Sequence, residues 1–263
     1  MAIVSARYRS NCLNRFVTFT AVLPFEEYGE EYFNPNQEAF TDDTPMKTLY
    51  LLHGITGDEV DWLYGTRIAA YAEEKKIAVI MPDGGNSFYF DHYYAEKWGE
   101  FIGRELVQAT RSMFHLSRKR EDTYIGGLSM GGFGALRNGL KYSETFSKII
   151  SLSGALVTQD LPAREYGKDW METEEFYERT FGDLNKIKGS DLDLEKLYLE
   201  HGKDTEIFMA IGTEDFLLEK NRRYKAFLQE QKAKLHYLEE PGAHEWDFWD
   251  RNIRRGMEWL LEK

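Results

Sequence analysis

The sequence predicts an α/β fold, a mostly parallel central sheet flanked by helices. Two patterns carry that expectation. Short apolar runs alternate with amphipathic, helix-period stretches along the chain. A glycine-rich pentapeptide, GLSMG (Gly127–Gly131), stands directly between one such run and one such stretch. Strands alternating with helices imply parallel pairing through right-handed crossovers.

The elements are read in order. Arg15–Pro24 (RFVTFTAVLP) is rich in β-branched and aromatic residues and ends at proline, so it predicts an early antiparallel strand near the sheet edge. The polar segment 26–45 that follows holds two prolines and reads as a loop. Six further strands are expected at Met46–Gly54, Lys76–Gly85, Asp122–Gly127, Ser147–Gly154, Glu206–Asp215 and Ala233–Gly242. Short continuous apolar runs suit strands covered on both faces. Helices are expected over 58–76, 96–114, 131–143, 218–232 and 246–263. In the second, Trp98, Phe101, Ile102, Leu106 and Val107 recur with a helix period. Residues 155–204 break the alternation as an acidic, partly helical insertion, readable as a surface excursion or as a cap over a site. One domain, 1–263, is expected, with no internal repeat.

The bulk numbers narrow the partners. At 263 residues the chain is long enough to bury a large core. Its 42% hydrophobic and 15% aromatic content is that of a globular protein. A formal charge of −12 disfavours nucleic acid and anionic membrane, which repel it. The single cysteine, Cys12, forms no internal disulfide and no cysteine-based zinc site, and is expected as a small residue at a strand edge. No run approaches the roughly 20 apolar residues of a membrane span. The N-terminal residues lack the apolar core of a signal peptide, so a cytoplasmic location is expected. The aromatic count leaves a homo-oligomer open.

The pentapeptide fits G-x-S-x-G in the strand-to-helix context that a nucleophile elbow requires. Ser129 would stand on a sharp turn with its hydroxyl above the sheet, flanked by Gly127 and Gly131 because side chains there would collide. Gly132 and Gly134 would let the next helix pack close to the sheet. A serine hydroxyl is a weak nucleophile and needs a histidine base oriented by a carboxylate. In this architecture the chain order is serine, acid, histidine. His201, His236 and His244 follow Ser129. His236 falls inside an expected strand and His201 at the end of the insertion. His244 falls on the loop before the last helix, where a base should be. The acid is expected after the preceding strand, where Asp215 is preferred and Glu214 is the alternative. The oxyanion needs two N–H donors. Met130 follows the nucleophile and supplies one. The loop LLHGITG (Leu51–Gly57) supplies the other, from Ile55 or from Gly54. His53 is read as a support of that loop.

Seven blocks, among them LLHGITGDEVDW, VIMPDGGNSFYFD, GLSMGGFGAL, GTEDFL and GAHEWDFW, occur in the order of the esterase D-like group of α/β-hydrolases, which this chain resembles from about Arg15 onward outside the insertion. That group includes S-formylglutathione hydrolases, feruloyl, acetylxylan and tributyrin esterases and the antigen 85 mycolyltransferases. The resemblance implies an α/β-hydrolase fold, with Ser129 as nucleophile, Asp215 as acid, His244 as base, and Ile55 and Met130 as oxyanion donors. It also implies pocket roles for Asn86, Phe88 and Tyr89, with Gly54 and Trp246 added as candidates beside the triad. Gly57 stands where the S-formylglutathione hydrolases usually carry cysteine, which argues against that member. The expected activity is hydrolysis of short-chain acyl esters, or of acetyl or feruloyl esters of plant carbohydrates, through an acyl-enzyme. Alternatives are an acyltransferase on the same acyl-enzyme and a thioesterase of the S-formylglutathione hydrolase kind. No metal or organic cofactor is expected.

Overall fold

The computed structural model describes residues 1–24, 44–92 and 96–262. Most of the loop expected at 26–45 lies outside the described residues.

Among the described residues eight strands form one sheet: β1 (Ala2–Ser10), β2 (Arg15–Leu23), β3 (Lys47–Leu52), β4 (Ile77–Pro82), β5 (Thr123–Leu128), β6 (Lys148–Leu152), β7 (Glu206–Gly212) and β8 (Leu235–Glu240). Their order across the sheet is β1-β2-β4-β3-β5-β6-β7-β8. β2 is antiparallel to both its neighbours, and every pairing from β4 to β8 is parallel. β1 is an addition to the sequence-based expectation. Its residues alternate between half-buried and exposed, with Val4, Ala6 and Tyr8 facing the core and Ile3, Ser5 and Arg7 facing out. That two-residue period is the mark of an edge strand wet on one side.

The central strands are buried on both faces, as their unbroken apolar runs imply. On one face pack α1 (Asp61–Gly65), α2 (Ile68–Lys75) and α9 (Trp246–Leu260), through Trp62, Ile68, Tyr71, Phe248 and Ile253. On the other pack α3 (Trp98–Glu100) and α4 (Leu106–Met113), which a π turn at Phe101–Glu105 joins, together with α5 (Met130–Lys141) and α8 (Leu218–Glu230). The helix expected over 58–76 is two helices. Between them Arg67 turns aside, its side chain gripping Asp250 of α9 through Nε at 3.0 Å and Nη2 at 2.6 Å. The insertion between β6 and β7 holds α6 (Glu174–Phe181) and α7 (Leu194–His201). Each of these two helices is capped by a side chain, Thr173 or Asp193, accepting from a first-turn N–H.

This topology brings the turns after β3, β5, β7 and β8 to one edge of the sheet. Clefts in open parallel sheets form at the carboxyl ends of the strands, and the candidate residues stand there.

Candidate active site

Ser129 directly follows β5 and stands at the N-cap of α5 with φ 53° and ψ −118°. This is a costly conformation for a residue with a side chain, and such strain persists only where the surroundings enforce it. Here they do. Ser129 N–H donates to the Leu152 carbonyl at 2.9 Å, and its own carbonyl accepts from Ala155 and Phe133. The flanking glycines meet a strict limit. A Cβ on Gly131 would lie 2.6 Å from the His53 carbonyl oxygen, and one on Gly127 would lie 2.5 Å from the Gly131 carbonyl carbon. The close approach at Gly132 is to Gly154 and the end of β6, but that at Gly134 is to the Tyr89 ring, not to the sheet.

His244, on the turn between β8 and α9, points Nε2 at Ser129 Oγ across 3.0 Å. Its Nδ1 meets Asp215 Oδ2 at 2.9 Å. The carboxylate fixes the tautomer, with Nδ1 donating to Asp215 and Nε2 free to accept the serine proton. Asp215 is 4% exposed. Burial works to raise its pKa, but hydrogen bonds from His244, the Leu217 N–H and Ser153 outweigh burial and hold it below the usual carboxylate range. It is therefore charged at neutral pH. Glu214, the alternative acid, points elsewhere. Its Oε2 accepts the Gly242 N–H at 2.6 Å and its Oε1 the Thr213 hydroxyl at 2.8 Å, which ties the acid loop to the histidine loop.

Sequence reasoning gave no role to Ser153. It is fully buried at φ 47°, accepts the Trp249 indole N–H at 3.1 Å and hydrogen-bonds Asp215. The available signal was its place just past β6, on the edge where the other site residues gather.

The turn after β3 lies against the elbow. A Cβ on Gly54 would lie 3.5 Å from Ser129 Cβ. Gly57 N–H closes the turn onto the Gly54 carbonyl at 3.2 Å, with Thr56 at φ 67°. Ile55 and Gly54 border the cavity together with Met130, so both expected oxyanion donors belong to residues at the serine. His53 braces this turn. Its Nε2 accepts the Gly84 N–H at 2.8 Å, so Nδ1 carries the proton and donates to the Gly54 carbonyl at 2.6 Å. Burial lowers the His53 pKa and keeps the ring neutral.

A cavity of about 730 Å³ opens above Ser129, walled by Phe88, Leu128, Phe216, Trp246 and Trp249 and, from the insertion, by Val157, Arg164, Met171, Phe176 and Tyr177. Phe88 and Trp246 thus stand where a pocket role needs them. Asn86 and Tyr89 do not. Asn86 Oδ1 accepts the Thr56 N–H at 2.8 Å and supports the turn after β3. Tyr89 is fully buried, wedged against Gly84 and Gly134, with its hydroxyl donating to the His53 carbonyl at 2.9 Å. Both were expected at the pocket because GGNSFYFD resembles a pocket loop of the esterase D-like group; consecutive positive φ values at Phe88 and Tyr89 leave Phe88 at the cavity and turn Tyr89 into the core. Among the described residues no cluster of His, Cys, Asp or Glu is arranged to hold a metal, and no helix is long and apolar enough to cross a membrane.

A bent serine at the carboxyl edge of such a sheet belongs to the α/β-hydrolases, and the molecule has that fold. More narrowly, the chain belongs to the putative esterase family, whose profile matches residues 26–260. It is 41% identical over 267 residues to an acetyl esterase of Caldicellulosiruptor saccharolyticus, covering 99% of this chain and 98% of that one. Two solved structures from Staphylococcus aureus superpose along the whole fold at 29% identity. One is a fluorophosphonate-binding serine hydrolase with substrate bound, with a TM-score of 0.84 and coverage of 100% and 99% of the two chains. The other is an S-formylglutathione hydrolase, with a TM-score of 0.82 and coverage of 99% of both.

Proposed function

We propose that this esterase-family chain is a serine carboxylic-ester hydrolase that works through an acyl-enzyme on small acyl groups, acetyl first among them. The observation that carries this reading is the continuous relay Asp215–His244–Ser129, with contacts of 2.9 and 3.0 Å, opening into an apolar cavity. Ser129 Oγ attacks the ester carbonyl while His244 Nε2 takes its proton. Asp215 stabilises the imidazolium that results, its charge secured by the hydrogen bonds that depress its pKa. The N–H groups of Ile55 and Met130 receive the oxyanion, and because the turn is braced by His53 and Asn86 they need not reorganise as charge develops. His244 then protonates the leaving alcohol. A water deprotonated by the same nitrogen clears the acyl group. The insertion acts as a cap, since its residues Val157 to Tyr177 form one wall of the cavity.

The similarity to an acetyl esterase supports the short acyl preference. The likeness to an S-formylglutathione hydrolase supports a second reading, in which the same relay cleaves a thioester. Initial rates on 4-nitrophenyl esters from acetate to decanoate, with methyl ferulate, acetylated xylan and a formyl thioester beside them, separate the two. Turnover should be highest on acetate, and Ser129→Ala should lower it by roughly four orders of magnitude or more. Full activity in that variant would overturn the mechanism. Faster turnover of the thioester than of any oxygen ester would favour the second reading.

A further inference from the structure

The insertion carries a wall that the acyl-transfer chemistry leaves unused. Beside the catalytic cavity, and sharing Arg164 and Lys220 with it, lies a second, open cavity of about 570 Å³ lined by Gln159, Asp160, Leu161, Ala163, Arg164, Glu165, Lys220 and Arg223. Three polar atoms in this wall, Arg164 Nε and both Gln159 amide atoms, are buried without a hydrogen-bond partner. A buried polar group left unsatisfied is costly, so such groups call for a ligand or an ordered solvent partner. The charges are also out of keeping with the rest of the molecule. Three cations face two carboxylates in a chain whose formal charge is −12. Asp160 is already engaged by Lys220 and by Arg223, the latter at 3.2 Å. Arg164 lies over the Tyr177 ring with its carbon 4.5 Å from the centroid, which holds the guanidinium plane against the pocket wall. The carboxylates of Asp61, Asp169 and Glu172 also border the catalytic cavity, with Glu172 near enough to Tyr177 to share its surroundings with Arg164.

We propose that Arg164, with Lys220 and the Gln159 amide, forms an anion subsite that binds a carboxylate or phosphate group carried by the substrate. The Arg164 guanidinium borders both cavities, and a planar guanidinium carries paired N–H groups suited to two oxygens of one anion. The Gln159 amide N–H adds a neutral donor. Asp160 holds Lys220 in place rather than competing for the ligand. This deepens the hydrolase reading and rests on it, because the anion is bound so that an ester elsewhere in the same molecule reaches Ser129.

The test compares matched esters that differ by one charge. One pair puts the anion in the leaving group, 4-acetoxybenzoate against its methyl ester. The other puts it in the acyl group, 4-nitrophenyl hydrogen succinate against 4-nitrophenyl butyrate. The kcat/KM ratio of anionic to neutral ester is measured for wild type, Arg164→Gln and Arg164→Lys. In one pair, Arg164→Gln should lower that ratio about tenfold, the scale of one charge-assisted hydrogen bond. Arg164→Lys should recover most of it, and the responding pair tells which side of the ester carries the anion. The melting temperature of each variant reports that it is folded, and the neutral ester in each pair takes up any general effect of the substitution on the cavity. A ratio unchanged in both pairs would overturn the subsite and leave the hydrolase reading intact. Failure of wild type on the neutral esters would overturn that reading, and the subsite with it.

Discussion

The serine elbow and the insertion are built on opposite principles. At the elbow the backbone decides. Ser129 sits at φ 53°, both flanking glycines face backbone carbonyl groups at the end of β3 or the start of α5, and the residues around it are almost fully buried. In the insertion the side chains decide. Its helices expose most of their polar face, and its contacts with the body include the Arg137–Asp191 and Lys220–Asp160 ion pairs and the Phe88–Phe181 ring contact at 4.9 Å. The difference separates two tasks. A nucleophile must be held to a fraction of an ångström, which a fixed backbone does well. A wall that selects substrates can change by surface substitution while the chemistry beneath it stays in place.

Replacing one glycine in each region breaks the comparison most sharply. Gly131→Ala forces a side chain into the Leu52 and His53 carbonyls, and neither backbone can move without moving β3. It should cost about 3 kcal/mol or more, read as a large fall in melting temperature together with loss of activity. A second prediction concerns the His53 brace beneath the turn after β3. Because burial lowers the His53 pKa, the unfolded chain takes up a proton that the folded chain refuses. The stability this neutral ring allows is fully present above its unfolded pKa, ordinarily about 6.5, and is lost as pH falls below that value toward the lower folded pKa. Urea titrations at pH 7.5 and 5.5 should show wild type weakening with a slope of up to about 1.4 kcal/mol per pH unit. His53→Gln should be weaker at both pH values, with the slope reduced. The smallest effect belongs to the insertion. Gly189 has φ 79° and nothing within 4 Å of a new Cβ, so Gly189→Ala should cost only about 1 kcal/mol of backbone strain and leave turnover of 4-nitrophenyl acetate unchanged. A cost matching that of Gly131→Ala would mean that the insertion is as rigid as the elbow.

What the sequence disclosed follows the same division. The alternating apolar runs placed the strands from β2 to β8, and Ser129, Asp215 and His244 could be read off because each stands on a turn that directly follows a strand. β1 escaped attention although its two-residue alternation was present in the sequence. The break between α1 and α2 falls at Gly65 and Thr66, whose hydroxyl accepts the Ile68 N–H, a local signal passed over, while the Asp250 carboxylate that holds Arg67 lies 183 residues away and could not be seen. Asn86 and Tyr89 were misplaced for a related reason. Whether a loop side chain turns toward a cavity or into the core depends on φ values at single residues, and nothing in the run GGNSFYFD announces a pair of them above 50°. Ser153 acts through Asp215 and Trp249 on other elements, so its one mark in the sequence is its place just past β6.

The central claim is that Ser129 alone is made nucleophilic by its surroundings. The most direct measurement treats the protein with diethyl 4-nitrophenyl phosphate, a mimic of the tetrahedral intermediate, and follows intact mass, peptide mass and activity together. A single diethylphosphoryl group on the peptide containing Ser129, formed in step with the loss of esterase activity and absent from His244→Ala, is the predicted result. Labelling of another residue, or full activity with Ser129 modified, would contradict the account.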